Sequence, residues 1–237
     1  MHSFHLAHVP AGTSARVLAC GPGAVPGLRH VEPLALMRLG APVVSADRLQ
    51  LRRLALFCAW DDESALEAFL AAHPLGQRVA DGWHVRLEFV RRWGRVAALS
   101  DLPERAGRSD PDEPSVAVTL ARMRLPRVPR FLRWGRPVER LVRDHPGATF
   151  ATAAIRPPHT VSTFSVWRTT REMTDMVFGR GGSAQQRGRS GDVGAVTRHV
   201  DAMAERDRRD FHHEFTTLRF RPIAEHGTWD GRTRILP

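Results

Sequence analysis

The 237-residue chain contains no lysine and no tyrosine, and only two cysteines. Cys20 and Cys58 lack CxxC spacing, which excludes a disulfide framework or a zinc ribbon, and Cys58 inside an apolar run reads as an ordinary buried thiol. Nowhere does an apolar run approach the roughly 18 to 20 residues of a membrane helix, and no charged N-terminal region leads into an apolar stretch. A soluble, cytoplasmic protein is expected. No GxSxG element is present, and Cys58 has no visible histidine partner, so nucleophilic catalysis has little support.

What is present is arginine, which supplies the whole basic side of a +10 net charge. A lysine-free, alanine- and arginine-rich chain reads first as the coding bias of a GC-rich genome. The arginines are spread along the chain without a helix-turn-helix, RNP-like or zinc-finger pattern, so a nucleic-acid partner is not expected. An anionic ligand group or an anionic membrane face remains compatible with the charge. A hydrophobic fraction of 42% is enough to build a core.

One pattern occurs twice, 107 residues apart. Leu54 to Trp60, followed by Leu66, Phe69 and Leu70, recurs as Val161 to Trp167, followed by Met173, Met176 and Val177. An apolar strand ending in Trp, then a helix with apolar residues at i, i+3 and i+4, is one supersecondary unit repeated, and two similar halves are expected. Trp60 and Trp167 read as core anchors at matched strand ends. Asp61 and Asp62 suit a helix start before Glu63 to Ala72, and Thr169 with Glu172 forms a capping box for the second copy.

The first half reads as a strand at Ala15 to Ala19, a weak helix at Glu32 to Leu39, then the repeated strand and helix, and an alternating strand from Trp83 to Val90. In the second half, strands are expected at Val116–Arg122, Ala148–Ile155, Thr160–Trp167 and Glu214–Arg221, with a helix at Val138–Arg143. The expected class is α+β: two tandem ferredoxin-like halves, 1–99 and 115–237, joined by a polar linker at 100–114 and forming an α+β barrel. Only the second half carries a glycine- and arginine-rich insertion, Gly179 to Arg189, and a long amphipathic helix from about Asp192 to Arg209.

On that helix His199 shares an apolar face with Val196, Val200 and Met203, well placed to ligate a metal buried between helix and sheet. A core histidine satisfied by a backbone carbonyl is the alternative. Arg180, Arg187 and Arg189 suit carboxylates of an anionic cofactor through paired N–H donors, or else a solvated loop. His212 and His213 enter a strand side by side and so face opposite ways, which keeps them from sharing one ion. His159 is a loop residue beside Pro157-Pro158. Gly179-Arg-Gly-Gly182 follows a helix rather than a strand and is no dinucleotide fingerprint.

The second half resembles the spheroidene monooxygenase family. The resemblance is carried by Thr119 to Arg127, Phe131-Leu-Arg-Trp134, Thr163-Phe-Ser-Val-Trp167, the stretch from His199 through Phe211 to Glu214, Arg219-Phe-Arg221, and the terminal Gly227-Thr-Trp-Asp-Gly231. It covers about Val116 to Gly231 and is thin before Leu54. It implies an α+β barrel related in shape to chlorite dismutases and dye-decolorising peroxidases, a haem with His199 as proximal ligand, and an oxygenase acting on a long apolar isoprenoid such as a carotenoid. The chain departs from the family at Ser183 to Arg198, which lengthens the path to the histidine. Arg127 to Arg136, with Phe131 and Trp134 among arginines, suits peripheral contact with an anionic membrane or an exposed connection. A barrel that has lost its cofactor and serves as a binding domain, and a cofactor-free monooxygenase of the small dimeric barrel type, are the competing readings.

Overall fold

The computed structural model describes residues 1–39, 41, 45, 48–128, 142–177 and 211–237. Eight antiparallel strands close into a barrel: β1 (His2–His8), β2 (Leu28–Met37), β3 (Gln50–Trp60), β4 (Trp83–Arg95), β5 (Ser115–Met123), β6 (Ala148–Arg156), β7 (Thr160–Trp167) and β8 (His212–Gly227). Their order around the barrel is β1-β3-β2-β6-β7-β5-β8-β4. Each set of four strands has the ferredoxin-like order, and the sets meet like to like, β2 against β6 and β4 against β8. The repeat is therefore structural: Phe57 of β3 lies opposite Phe4 of β1, as Phe164 of β7 lies opposite Val118 of β5.

The helices follow their local signals. In α2 (Glu63–Ala72), the Asp62 carboxylate accepts from the Ala65 amide at 2.9 Å, filling one of the donors a helix start leaves bare. Pro74 then opens α3 (Pro74–Ala80), where a missing amide costs nothing. In α4 (Thr170–Val177) the Thr169 hydroxyl accepts from the Glu172 amide at 3.1 Å. Two sequence expectations are corrected. Ala15 to Ala19 belongs not to a strand but to α1 (Ala11–Cys20), of which only Ser14 and Val17 are buried, so its apolar stripe is too narrow to announce a helix. Glu32 to Leu39 lies mostly in β2, where Leu34, Ala35, Leu36 and Met37 are buried on both faces and leave no alternation to read. The helix expected at Val138–Arg143 lies largely outside the described residues, as does the one at Asp192–Arg209.

Alternate residues of every strand fill the barrel. Phe4, Leu34, Phe57, Trp83, Leu87, Val118, Phe164 and Phe220 all lie within one buried cluster, and Phe4 stacks on Phe164 with ring centroids 3.8 Å apart. Each half sends the segment after its fourth strand into this core: Val96, Leu99 and Leu102 follow β4, and Trp229, Ile235 and Leu236 follow β8. The start of the expected linker is thus docked, with the Arg92 amide and guanidinium bonded to the carbonyls of Glu104 and Leu102. No described helix is long and apolar enough to cross a membrane.

The two seams differ in length. The β4–β8 ladder has twelve register pairs, and β2–β6 has three, Ala35–Ile155 to Met37–Ala153. Beyond the short seam the Glu32 carboxylate, fully buried on β2, pairs with Arg122 of β5 at 2.6 Å and Arg156 of β6 at 2.9 Å. Arg122 also donates to Thr160 Oγ1. Glu32→Gln should leave two guanidinium groups facing each other across this seam and lower the unfolding free energy by about 3 kcal/mol, measured by denaturant titration.

Candidate functional site

Outside the barrel the two halves present different surfaces. In the first half the outer positions of β2, β3 and β1 hold Val31, Cys58 and Ser3 in one row and Pro33, Leu56 and His5 in the next. Leu66 and Phe69 of α2 and Leu75 and Val79 of α3 cover them, forming a closed second core with Leu54, Leu56, Cys58 and Trp60. Burial raises the Cys58 thiol far above its ordinary range, which marks a packing thiol and not a nucleophile. Both anchors are satisfied alike: Trp60 donates to Ser3 and Trp167 to Ser165, each at 2.8 Å.

The same positions in the second half are small. Reading across β6, β7, β5 and β8, one row is Ala151, Ser165, Ala117 and Arg219, and the next is Ala153, Thr163, Thr119 and Thr217. Seven of these eight side chains are no larger than threonine. Ala117, Thr119, Ala151, Thr163, Thr217 and Arg219 are only partly buried. Thr119 and Thr163 lie directly opposite, their hydroxyls 2.6 Å apart. Three strand intervals make this a nearly side-chain-free floor about 14 Å wide.

The floor ends at a basic and aromatic edge. Through the β4–β8 ladder Arg91 pairs with Arg219 and Trp93 with Thr217. The guanidinium carbons of Arg91 and Arg219 stand 4.6 and 4.9 Å from the centroid of Trp93, as cations over an aromatic face. Arg105 is held to Arg91 by a backbone bridge. Burial and the positive charges of Arg91 and Arg105 pull Arg219 below its ordinary pKa. Among the described residues no carboxylate pairs with any of the three.

His199, Arg180, Arg187 and Arg189 lie outside the described residues, so the structure positions neither the expected ligand nor the expected carboxylate clamps. Among the described residues no group of three histidines, cysteines or acids is arranged to hold a metal ion. His212 and His213 are consecutive at the start of β8, where the register against β5 shifts; His212 lies against Phe215 and His213 is exposed. His213 lines an open depression of about 520 Å³ with Arg124, Leu125, Pro126 and Arg127. A second, of about 500 Å³, runs along Gly23 to Val31. The floor and its arginine edge were not singled out from the sequence. Their one signal there is an abundance of Ala, Ser and Thr in β5, β6 and β7, but only strand register brings those residues onto one face.

No family model matches the chain, and no curated protein is significantly similar to it in sequence. Solved structures of similar shape include a putative monooxygenase from Fusobacterium nucleatum (8% identity, TM-score 0.38, covering 95% of this chain and 93% of that one). Another is a putative monooxygenase from Lactobacillus acidophilus (6% identity, TM-score 0.38, 95% of each chain). A heme-degrading enzyme from Listeria monocytogenes is similar at 10% identity and a TM-score of 0.27, over 91% of this chain and 98% of that one. Likeness at this level carries no inference about reaction, substrate or cofactor.

The outer face of the first half also carries a row of three histidines. His5, His84 and His226 are register neighbours on β1, β4 and β8, with ring centroids 5.2 and 4.9 Å apart. Burial, then the neighbouring His226, lowers His84 to about 4, and burial holds His5 well below its ordinary value. The folded chain refuses protons that the unfolded chain accepts below about pH 6.5, so stability is complete above that pH and falls towards pH 4. Over this window His84 alone should cost about 3 kcal/mol, read as a falling urea midpoint between pH 7 and 4.5. His84→Leu should remove that share of the slope and leave the share that buried His5 and His2 contribute.

Proposed function

We propose that the chain is a haem-dependent monooxygenase, with the haem lying on the small-residue floor of the second half. The single observation that carries this reading is the floor itself. In a duplicated fold the copy that serves packing has large outer side chains under a roof of helices, and the other copy has lost side-chain volume at the same positions. A planar macrocycle needs such a flat face, and the basic edge suits its acidic substituents. Ala117, Thr119 and Thr163, all partly exposed, would lie beneath the ring and keep bulk away from it.

The resemblance supports His199 as the residue that would hold the haem, Arg180, Arg187 and Arg189 as residues that would stand near its acidic groups, and an apolar isoprenoid such as a carotenoid as substrate. A bound haem would supply the activation of dioxygen or peroxide, while His199 would hold it and the floor would orient it. The paired hydroxyls of Thr119 and Thr163 satisfy each other and leave the floor uncharged, so the fixed charge near the ring is the arginine edge.

Purified full-length protein titrated with hemin should develop a Soret band with saturable binding. His199→Ala should shift or abolish that band, and Thr119→Phe, which puts bulk on the floor, should weaken binding by about tenfold or more. Thermal melting of both variants reports whether the fold is kept. Absence of any hemin-induced band in the parent protein would sink the haem reading and leave a barrel that binds or scaffolds without a cofactor.

A further inference from the structure

The two halves treat one arginine differently. Arg86 on β4 and Arg219 on β8 hold the same place in their halves, facing outward opposite Ser3 of β1 and Ala117 of β5. Two carboxylates from α2 neutralise Arg86: Glu63, in close contact, and Glu67, at 3.4 Å. Carried forward by the 107-residue repeat, Glu63 becomes Thr170 and Glu67 becomes Thr174. Thr174 offers Arg219 only a hydroxyl oxygen, at 3.4 Å. Thr170 is turned to the Glu113 carbonyl and the Ser109 hydroxyl.

The acids that α4 does carry are engaged elsewhere. Glu172 hydrogen-bonds the Thr169 hydroxyl, and both Glu172 and Asp175 bear on His145. An arginine keeps its charge in any protein environment, so a partly buried one without a counter-charge is unfavourable unless an anion arrives. Arg91 and Arg105 beside it increase that demand. Trp93 holds the Arg219 guanidinium 4.9 Å from its ring centroid, and the buried Arg219 Nε has no hydrogen-bond partner among the described residues, so donors remain for a two-oxygen acceptor.

We propose that Arg219, flanked by Arg91 and Arg105, binds a carboxylate of the planar ligand on the floor, the ligand supplying the charge that Glu63 and Glu67 supply in the first half. This rests on the reading of the floor as a cofactor platform and adds the group by which the ligand is oriented. It also gives the lost acids a role: a carboxylate at position 174 would compete with the ligand for Arg219.

The test compares hemin with hemin dimethyl ester, in which both carboxylates are masked, each titrated into the full chain and followed at the Soret band. Arg219→Gln should weaken hemin binding by about tenfold or more and leave the ester nearly unchanged. Thr174→Glu, which restores the first-half carboxylate, should weaken hemin similarly, whereas Thr174→Gln should stay within about twofold of the parent. Equal losses for hemin and ester, or no loss in either variant, overturn the carboxylate anchor while leaving the platform in place. If the parent binds neither porphyrin, both readings fall together.

Discussion

The long ladder between β4 and β8 is the constraint from which the rest of the structure follows. Its twelve register pairs join the two halves, and only two single-residue bulges, at Ile223 and Val90, interrupt it. By fixing Arg91 beside Arg219 and Trp93 beside Thr217 it builds the edge of the floor out of both halves. The opposite seam is too short to contribute comparably, and a buried ion cluster centred on Glu32 completes it. Such a cluster costs desolvation, and its central member matters most: loss of Glu32 leaves two cations unpaired, whereas loss of either arginine leaves Glu32 with the other.

The described interior is filled, so the proposed site lies outside the barrel. Phe4, Phe57, Phe164 and Phe220 occupy the axis, and the segments after β4 and β8 add Val96, Leu99, Trp229 and Ile235 to the same cluster. The first outer face is spent on α1, α2 and α3. The second has exchanged Leu56, Cys58 and His5 for Thr163, Ser165 and Thr119 at matching positions. At these positions the second copy therefore offers less apolar side-chain volume than the first, and among the described residues its apolar packing is gathered beyond them, around Ala153, Val161 and Phe211.

The sequence revealed the repeat, its strands and its caps more readily than its site. Trp60 and Trp167, the Asp62 cap and the Thr169–Glu172 pair were readable because each depends on neighbours within a few residues. β1 was missed because its histidines hide the alternation: His2 stacks on Phe57 inside the barrel, while His5 is buried outside. β2 was misread because Glu32, a charged residue, lies in the interior, where only Arg122 and Arg156 from distant strands make it tolerable. The floor was invisible for the same reason, since Ala151, Ser165, Ala117 and Arg219 become a row only after three ladders are set. The chemistry proposed for His199 and for Arg180, Arg187 and Arg189 rests on sequence alone.

Like-to-like seams carry a consequence for how the chain must be made. Severed from its twin, either half would expose two raw sheet borders, β2 and β4 or β6 and β8, each offering unsatisfied amides and carbonyls to whatever strand it meets. Its own duplicate in another molecule is the best-matched stranger. Tethering the copies in one polypeptide raises the local concentration of the correct border above that of any rival, and so turns an aggregation hazard into the closure of a single barrel.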